Sequence, residues 1–146
     1  MNRSNKLQTA LAEVRNVYVD LAQRPIERNC TRQTECCHFK LTGRTPYLTK
    51  GEALLVATVL RATGRTQLPE NATGVCPMLD SASGNCIIYD SRPFGCRTHF
   101  CAAAGGPYAR REVIDLIRRL EVIDAEMGGS GPRLLQNAIT DALEEL

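Results

Sequence analysis

Apolar side chains recur every three or four positions in several stretches of the chain, a spacing that predicts helices. Residues 5–23 carry Leu7, Leu11, Val14, Tyr18 and Leu21 on one stripe, and Pro25 follows. Proline has no N–H to donate and clashes with the preceding turn, so it ends that helix. Thr49-Lys50-Gly51-Glu52 has the form of a capping box ahead of the apolar run ALLVATVLRAT. Gly64 stands where a residue of left-handed conformation closes such a helix. Residues 110–127 place Val113, Ile114, Ile117, Leu120, Ile123 and Met127 on one face. Gly128-Gly129-Ser130-Gly131 is expected to be a flexible joint. Pro132 then opens a last helix with Leu135, Ala138, Ile139, Ala142 and Leu143 turned inward.

The remaining stretches lack a period. Residues 27–47, ERNCTRQTECCHFKLTGRTPY, are polar and basic, and residues 69–74 are a connecting loop. Within residues 76–101, Gly84-Asn85 supplies the turn at the tip of a hairpin, and Cys86-Ile87-Ile88-Tyr89 is expected as its short strand. Ser91-Arg92-Pro93-Phe94-Gly95 reads as a second tight turn. The string TGRT occurs at 42–45 and again at 63–66, with no wider self-similarity. Strands do not alternate with helices, which excludes a doubly wound parallel sheet. The expected fold is one domain over residues 1–146, mainly α with a small irregular β-hairpin. Helices 5–23 and 110–146 would enclose a cysteine-rich metal-binding region at about residues 30–101.

Composition changes this picture little. The chain has 146 residues, 43% hydrophobic and 23% charged, enough to bury a core without staples. Its net charge of +2 is too small to select nucleic acid or membrane as a partner. The N-terminus lacks the apolar run and cleavage site of a secretory leader, and no stretch is long enough to span a bilayer. A cytoplasmic protein with no membrane partner is expected.

The seven cysteines do change it. Cytoplasmic thiols stay reduced, and their clusters bind metal or do redox chemistry more often than they form disulfides. An odd number also forbids complete internal pairing. Cys30, Cys36 and Cys37 precede the second helix, and Cys76, Cys86, Cys96 and Cys101 follow it. All seven fall in segments read as loop or short strand. Core cysteines acting as small hydrophobes would be scattered over helical faces as well. No Cys-x-x-Cys occurs, which excludes a zinc knuckle or a thioredoxin-like pair. Adjacent Cys36 and Cys37 project to opposite sides of an extended backbone, so either one ligates while the other packs, or they serve two centres.

These residues resemble a family of bacterial cysteine-cluster proteins, the CxxCxxCC or YkgJ-like zinc- or iron-chelating domain. The first motif reads Cys30-Thr31-Arg32-Gln33-Thr34-Glu35-Cys36-Cys37, with Gln33 where the family has cysteine. The second block reads Cys76-Pro77-x-Leu79, Cys86-Ile87-Ile88-Tyr89, Arg92-Pro93-x-x-Cys96-Arg97 and Cys101. The resemblance implies that Cys30, Cys36, Cys37, Cys76, Cys86, Cys96 and Cys101 form the metal site, with Cys37, Cys76, Cys86 and Cys96 as its core.

The neighbouring residues suit that role. Arg28, Arg32, Arg92 and Arg97 are placed to offset thiolate charge, or else are solvated surface cations. Pro93 and Gly95 can turn Cys96 back toward the hairpin. Ile87, Ile88, Phe94 and Phe100 can form a dry shell or simply core. His38 and His99 adjoin cysteines and are secondary candidates, and Tyr89 is expected to pack with its hydroxyl at the surface.

The metal itself stays open between zinc in a closed tetrahedral site and iron, including an iron–sulfur cluster. Bound metal is expected to hold residues 30–101 in shape, since residues 76–101 have few apolar side chains of their own. No catalytic residue is singled out: the phosphate-loop and His-Glu-x-x-His patterns are absent. Two alternatives stand beside a metal-binding protein. One is an enzyme using the centre for redox or group transfer, as in the related flagellin lysine methylases. The other is a protein- or nucleic-acid-binding module on Arg24, Arg28, Arg32, Lys40, Arg44 and Lys50. Nucleic acid is disfavoured because an aromatic content of 5% offers few stacking platforms.

Overall fold

The computed structural model describes residues 3–24, 46–70, 74–80, 82–98 and 108–146. Five α-helices run in chain order among them: α1 (Arg3–Ala22), α2 (Lys50–Ala62), α3 (Phe94–Thr98), α4 (Arg110–Glu126) and α5 (Leu135–Glu145). A two-stranded antiparallel sheet joins β1 (Tyr47–Leu48) to β2 (Arg133–Leu134), with Tyr47 opposite Leu134 and Leu48 opposite Arg133.

α2 is the central element. Gly51 to Ala57 and Leu60 are all buried on it, as expected of a helix covered on several sides. It packs against α1, α4 and α5. The stripe of α1 that meets this core is Ala10, Leu11, Val14, Val17, Tyr18 and Leu21. α4 contributes Val113, Leu116, Leu120 and Ile123, and α5 contributes the five inward residues its periodicity names. Ion pairs Arg24–Asp115 and Arg119–Asp20 edge the contact between the α1 segment and α4.

Both ends of α2 follow from local sequence. Thr49 and Glu52 form the capping box. At the other end Gly64 has φ +87°, its N–H donates to Arg61 O, and the Arg65 N–H donates to Leu60 O. This pairing of the last carbonyls is a Schellman motif, and glycine takes the left-handed position without a Cβ penalty.

Two expectations are corrected at the C-terminal end. Gly128-Gly129-Ser130-Gly131 is a tightly held turn rather than a flexible joint. The buried Asp124 carboxylate fastens it, accepting from Lys50 N at 2.7 Å and from Gly131 N at 2.9 Å. Gly129 N donates to Asp124 O at 2.7 Å. The last helix begins at Leu135 and not at Pro132, because Arg133 and Leu134 are taken up by pairing with β1.

The expected strand over residues 86–89 is also absent. Cys86 makes one antiparallel bridge with Leu79. Ile88 then leaves the extended region (φ −116°, ψ 28°) and starts a short 3₁₀ turn, Tyr89–Ser91. The hairpin tip itself is present: Asp80 N donates to Asn85 O, Gly84 N donates to Asp80 O, and Gly84 has φ +72°.

Gly129 tests the Asp124 clamp. A Cβ there would clash with the Asp124 carboxylate, and that carboxylate cannot swing away without dropping two N–H donors. Overpacking costs about 1–3 kcal/mol, and a strained hydrogen bond to a charged group costs a similar amount. Gly129→Ala is expected to lower unfolding free energy by about 2–3 kcal/mol in urea titrations. An unchanged midpoint would show that the turn is not pinned.

Candidate metal centre

Cys76, Cys86 and Cys96 lie among the described residues, whereas Cys30, Cys36, Cys37, Cys101, His38, His99, Arg28, Arg32 and Phe100 lie outside them. The backbones carrying Cys76 and Cys86 are tied to each other. Leu79 N donates to Cys76 O at 3.0 Å, and Ile87 N donates to Met78 O at 2.8 Å beside the Leu79–Cys86 bridge. From the segment after Cys86, the carbonyls of Asp90 and Arg92 accept from Arg97 Nη2 and Nε at 2.7 and 2.6 Å. Arg97 directly follows Cys96, so its side chain ties α3 to the turn at residues 89–92.

Cys76 is buried and Cys86 and Cys96 are half-buried. Met78, Leu79, Ile88 and Phe94 beside them are buried in the common hydrophobic core. This corrects the premise that residues 76–98 lack apolar support, and it makes Ile88 and Phe94 core residues. Ile87 packs partly buried against the same core. Among the described residues no three Cys, His, Asp or Glu side chains gather into a metal-holding group.

The tight turn expected over Ser91–Gly95 runs into the short helix α3, so Cys96 lies in a helix and not in the irregular segment expected. Pro93 explains the difference. Its fixed φ suits a helix start, and its carbonyl accepts from Cys96 N at 3.0 Å and Arg97 N at 3.1 Å. The first N–H of α3, that of Phe94, donates to Glu52 Oε2 at 2.6 Å.

Glu52 is 2% exposed and collects donors from three directions. Oε2 accepts from Phe94 N and from Tyr18 Oη at 2.9 Å. Oε1 accepts from Thr49 N at 3.3 Å and Thr49 Oγ1 at 2.9 Å. Burial pushes the carboxyl above the usual carboxylate range, and these donors pull it part of the way back. Burial, reinforced by the Glu52 charge, also raises the Tyr18 phenol well above its ordinary value. Sequence periodicity assigned Tyr18 only to a core stripe and Glu52 only to a cap. The signal available was an acid inside an otherwise apolar helix and a polar-tipped aromatic in a buried stripe.

The arginines separate. The Arg97 guanidinium lies over the Tyr18 ring at 4.1 Å, and that of Arg92 over the Tyr89 ring at 3.9 Å. Burial lowers the Arg97 pKa from its ordinary value. Two members of the basic set are already paired in the fold: Arg24 with Asp115, and Lys50 with Glu145 at 3.3 Å.

Comparison with known proteins agrees with this region. The model of the CxxCxxCC family, described as a putative zinc- or iron-chelating domain, matches residues 29–118. That is more than half of the chain, and the protein belongs to this family. Neither curated proteins nor solved structures gave a match. No described helix is long and apolar enough to cross a membrane.

The raised Glu52 carboxyl has a pH consequence with a definite sign. Between the unfolded carboxylate pKa and the higher folded one, the native state binds more protons at Glu52. Its contribution is therefore full below the unfolded value and is lost as pH rises through the folded value. Unfolding free energy measured against pH in that weakly acidic window should carry a negative slope component from this group. Glu52→Gln is expected to make the slope more positive than in the native protein, and equal slopes would contradict the assignment.

Proposed function

We propose that the protein binds zinc or iron through cysteine thiolates, with Cys37, Cys76, Cys86 and Cys96 as the core set; the three described cysteines do not gather into a metal-holding group by themselves, so donors from the first cysteine motif are required. Cys30, Cys36 and Cys101 are the further donors. The supporting observation is the match of residues 29–118 to a family described as a zinc- or iron-chelating domain. Sulfur donors in a partly dry setting suit both zinc and iron, because thiolate is a soft ligand that either metal accepts. The half-buried Arg97 cation next to Cys96 fits the negative charge that several thiolates bring. The helices act as the scaffold around this region. When bound, the metal supplies cross-linking between the two cysteine groups. The chain's own part is to present sulfurs, exclude water with Met78, Ile88 and Phe94, and fix the flanking cations.

The metal adds to an existing frame in this reading. A structural zinc contributes on the order of 10–16 kcal/mol in small peptides, but residues 76–98 already share the main core. Anaerobically isolated protein should contain zinc or iron by elemental analysis, and a visible absorption band with acid-labile sulfide would identify an iron–sulfur cluster. Cys96→Ser is expected to lower the metal content about tenfold or more. Chelation is expected to lower Tm by about 5 °C or more while the far-UV helical signal persists. Metal-free isolated protein with an unaltered Tm after attempted loading would overturn the proposal.

A further inference from the structure

Tyr18 lies on α1, outside the family-matched residues 29–118. Its ring is nevertheless the surface on which the Arg97 guanidinium rests, 4.1 Å away. Three further contacts fix this pair. Tyr18 Oη is held by Glu52 Oε2 at 2.9 Å. Arg97 Nε and Nη2 are held by the carbonyls of Arg92 and Asp90. The same Glu52 oxygen holds the first N–H of α3, two residues before Cys96. Cys96 directly precedes Arg97 on α3.

A guanidinium stacked on an aromatic face and donating to two carbonyls has little orientational freedom. Its positive charge therefore stays in one place relative to α3. Arg92 has its own platform on Tyr89 within the cysteine segment, so of the described pair Arg97 is the one tied to the helical scaffold.

We propose that Tyr18 and Arg97 are positioning residues of the thiolate centre: Tyr18 holds the Arg97 guanidinium beside Cys96, where its fixed charge offsets that of the metal-binding sulfurs. This rests on the metal-binding reading and extends the site to a helix outside the family segment. Neither residue is a ligand. Their effect is on how strongly the sulfurs hold a cation and on the electronic environment of Cys96.

Cobalt(II) titration of the full chain, followed by sulfur-to-cobalt charge-transfer absorption, tests the idea. Tyr18→Leu and Arg97→Gln are expected to weaken cobalt binding about tenfold and to shift the charge-transfer band. Tyr18→Phe keeps the ring and should stay within about twofold of native. Val17→Ala, a truncation of a fully buried neighbour on α1, is the control for stability alone and should leave affinity and band unchanged. Native affinity and band in both Arg97→Gln and Tyr18→Leu would overturn the proposal. If Tyr18→Leu does not fold, Arg97→Gln decides by itself. A native chain that takes up no cobalt, zinc or iron would sink the metal-binding reading and the present inference with it. Native binding with unaffected variants would sink this inference alone.

Discussion

One buried carboxylate, that of Glu52, joins three parts of the chain that are far apart in sequence. Its two oxygens accept from Tyr18 on α1, from Thr49 at the start of α2 and from Phe94 at the start of α3. An isolated carboxylate in an apolar interior is very costly, and burial is tolerated only when several donors compensate. The four donors together offset that cost. This makes the position of α3, and with it Cys96, a consequence of how α1 and α2 pack.

Asp124 performs a related task from the opposite side. Its carboxylate takes the Lys50 N–H, one of the orphan donors in the first turn of α2, and ties that turn to the loop after α4. Two buried acids thus face the N-terminal end of the same helix, the end at which the helix dipole favours negative charge. The start of α2 is the junction of the molecule. α1, α3, α4 and the turn leading to β2 all connect there through a side-chain oxygen or through direct packing. The sheet of two-residue strands adds a fifth link, closed by Leu135 N donating to Pro46 O.

Local rules made the helices legible. The stripe on α1, the Thr49–Glu52 box, the Gly64 terminus and the inward face of α5 each depend on neighbours within a few residues. What escaped the sequence depends on partners far along the chain. The β1–β2 pairing joins residues nearly ninety positions apart, and strands of two residues leave no alternation to read. The glycine run at 128–131 looked loose because its fastening, Asp124, was visible only as one acid on an amphipathic helix. For the same reason α3 is not legible around Cys96: its N-terminal end is satisfied by Glu52, forty-two residues earlier. The cysteine pattern indicated the family correctly, but the pattern alone did not show that Tyr18 lies against Arg97.

The central placement of α2 also bears on synthesis. α2 is buried on faces covered by α4 and α5, and both of those emerge from the ribosome after every cysteine has been made. Between the emergence of Cys101 and that of Glu145, the nascent chain exposes these seven thiols beside an unfinished core. During that interval the sulfurs meet the cellular milieu before the mature protein has taken its final form.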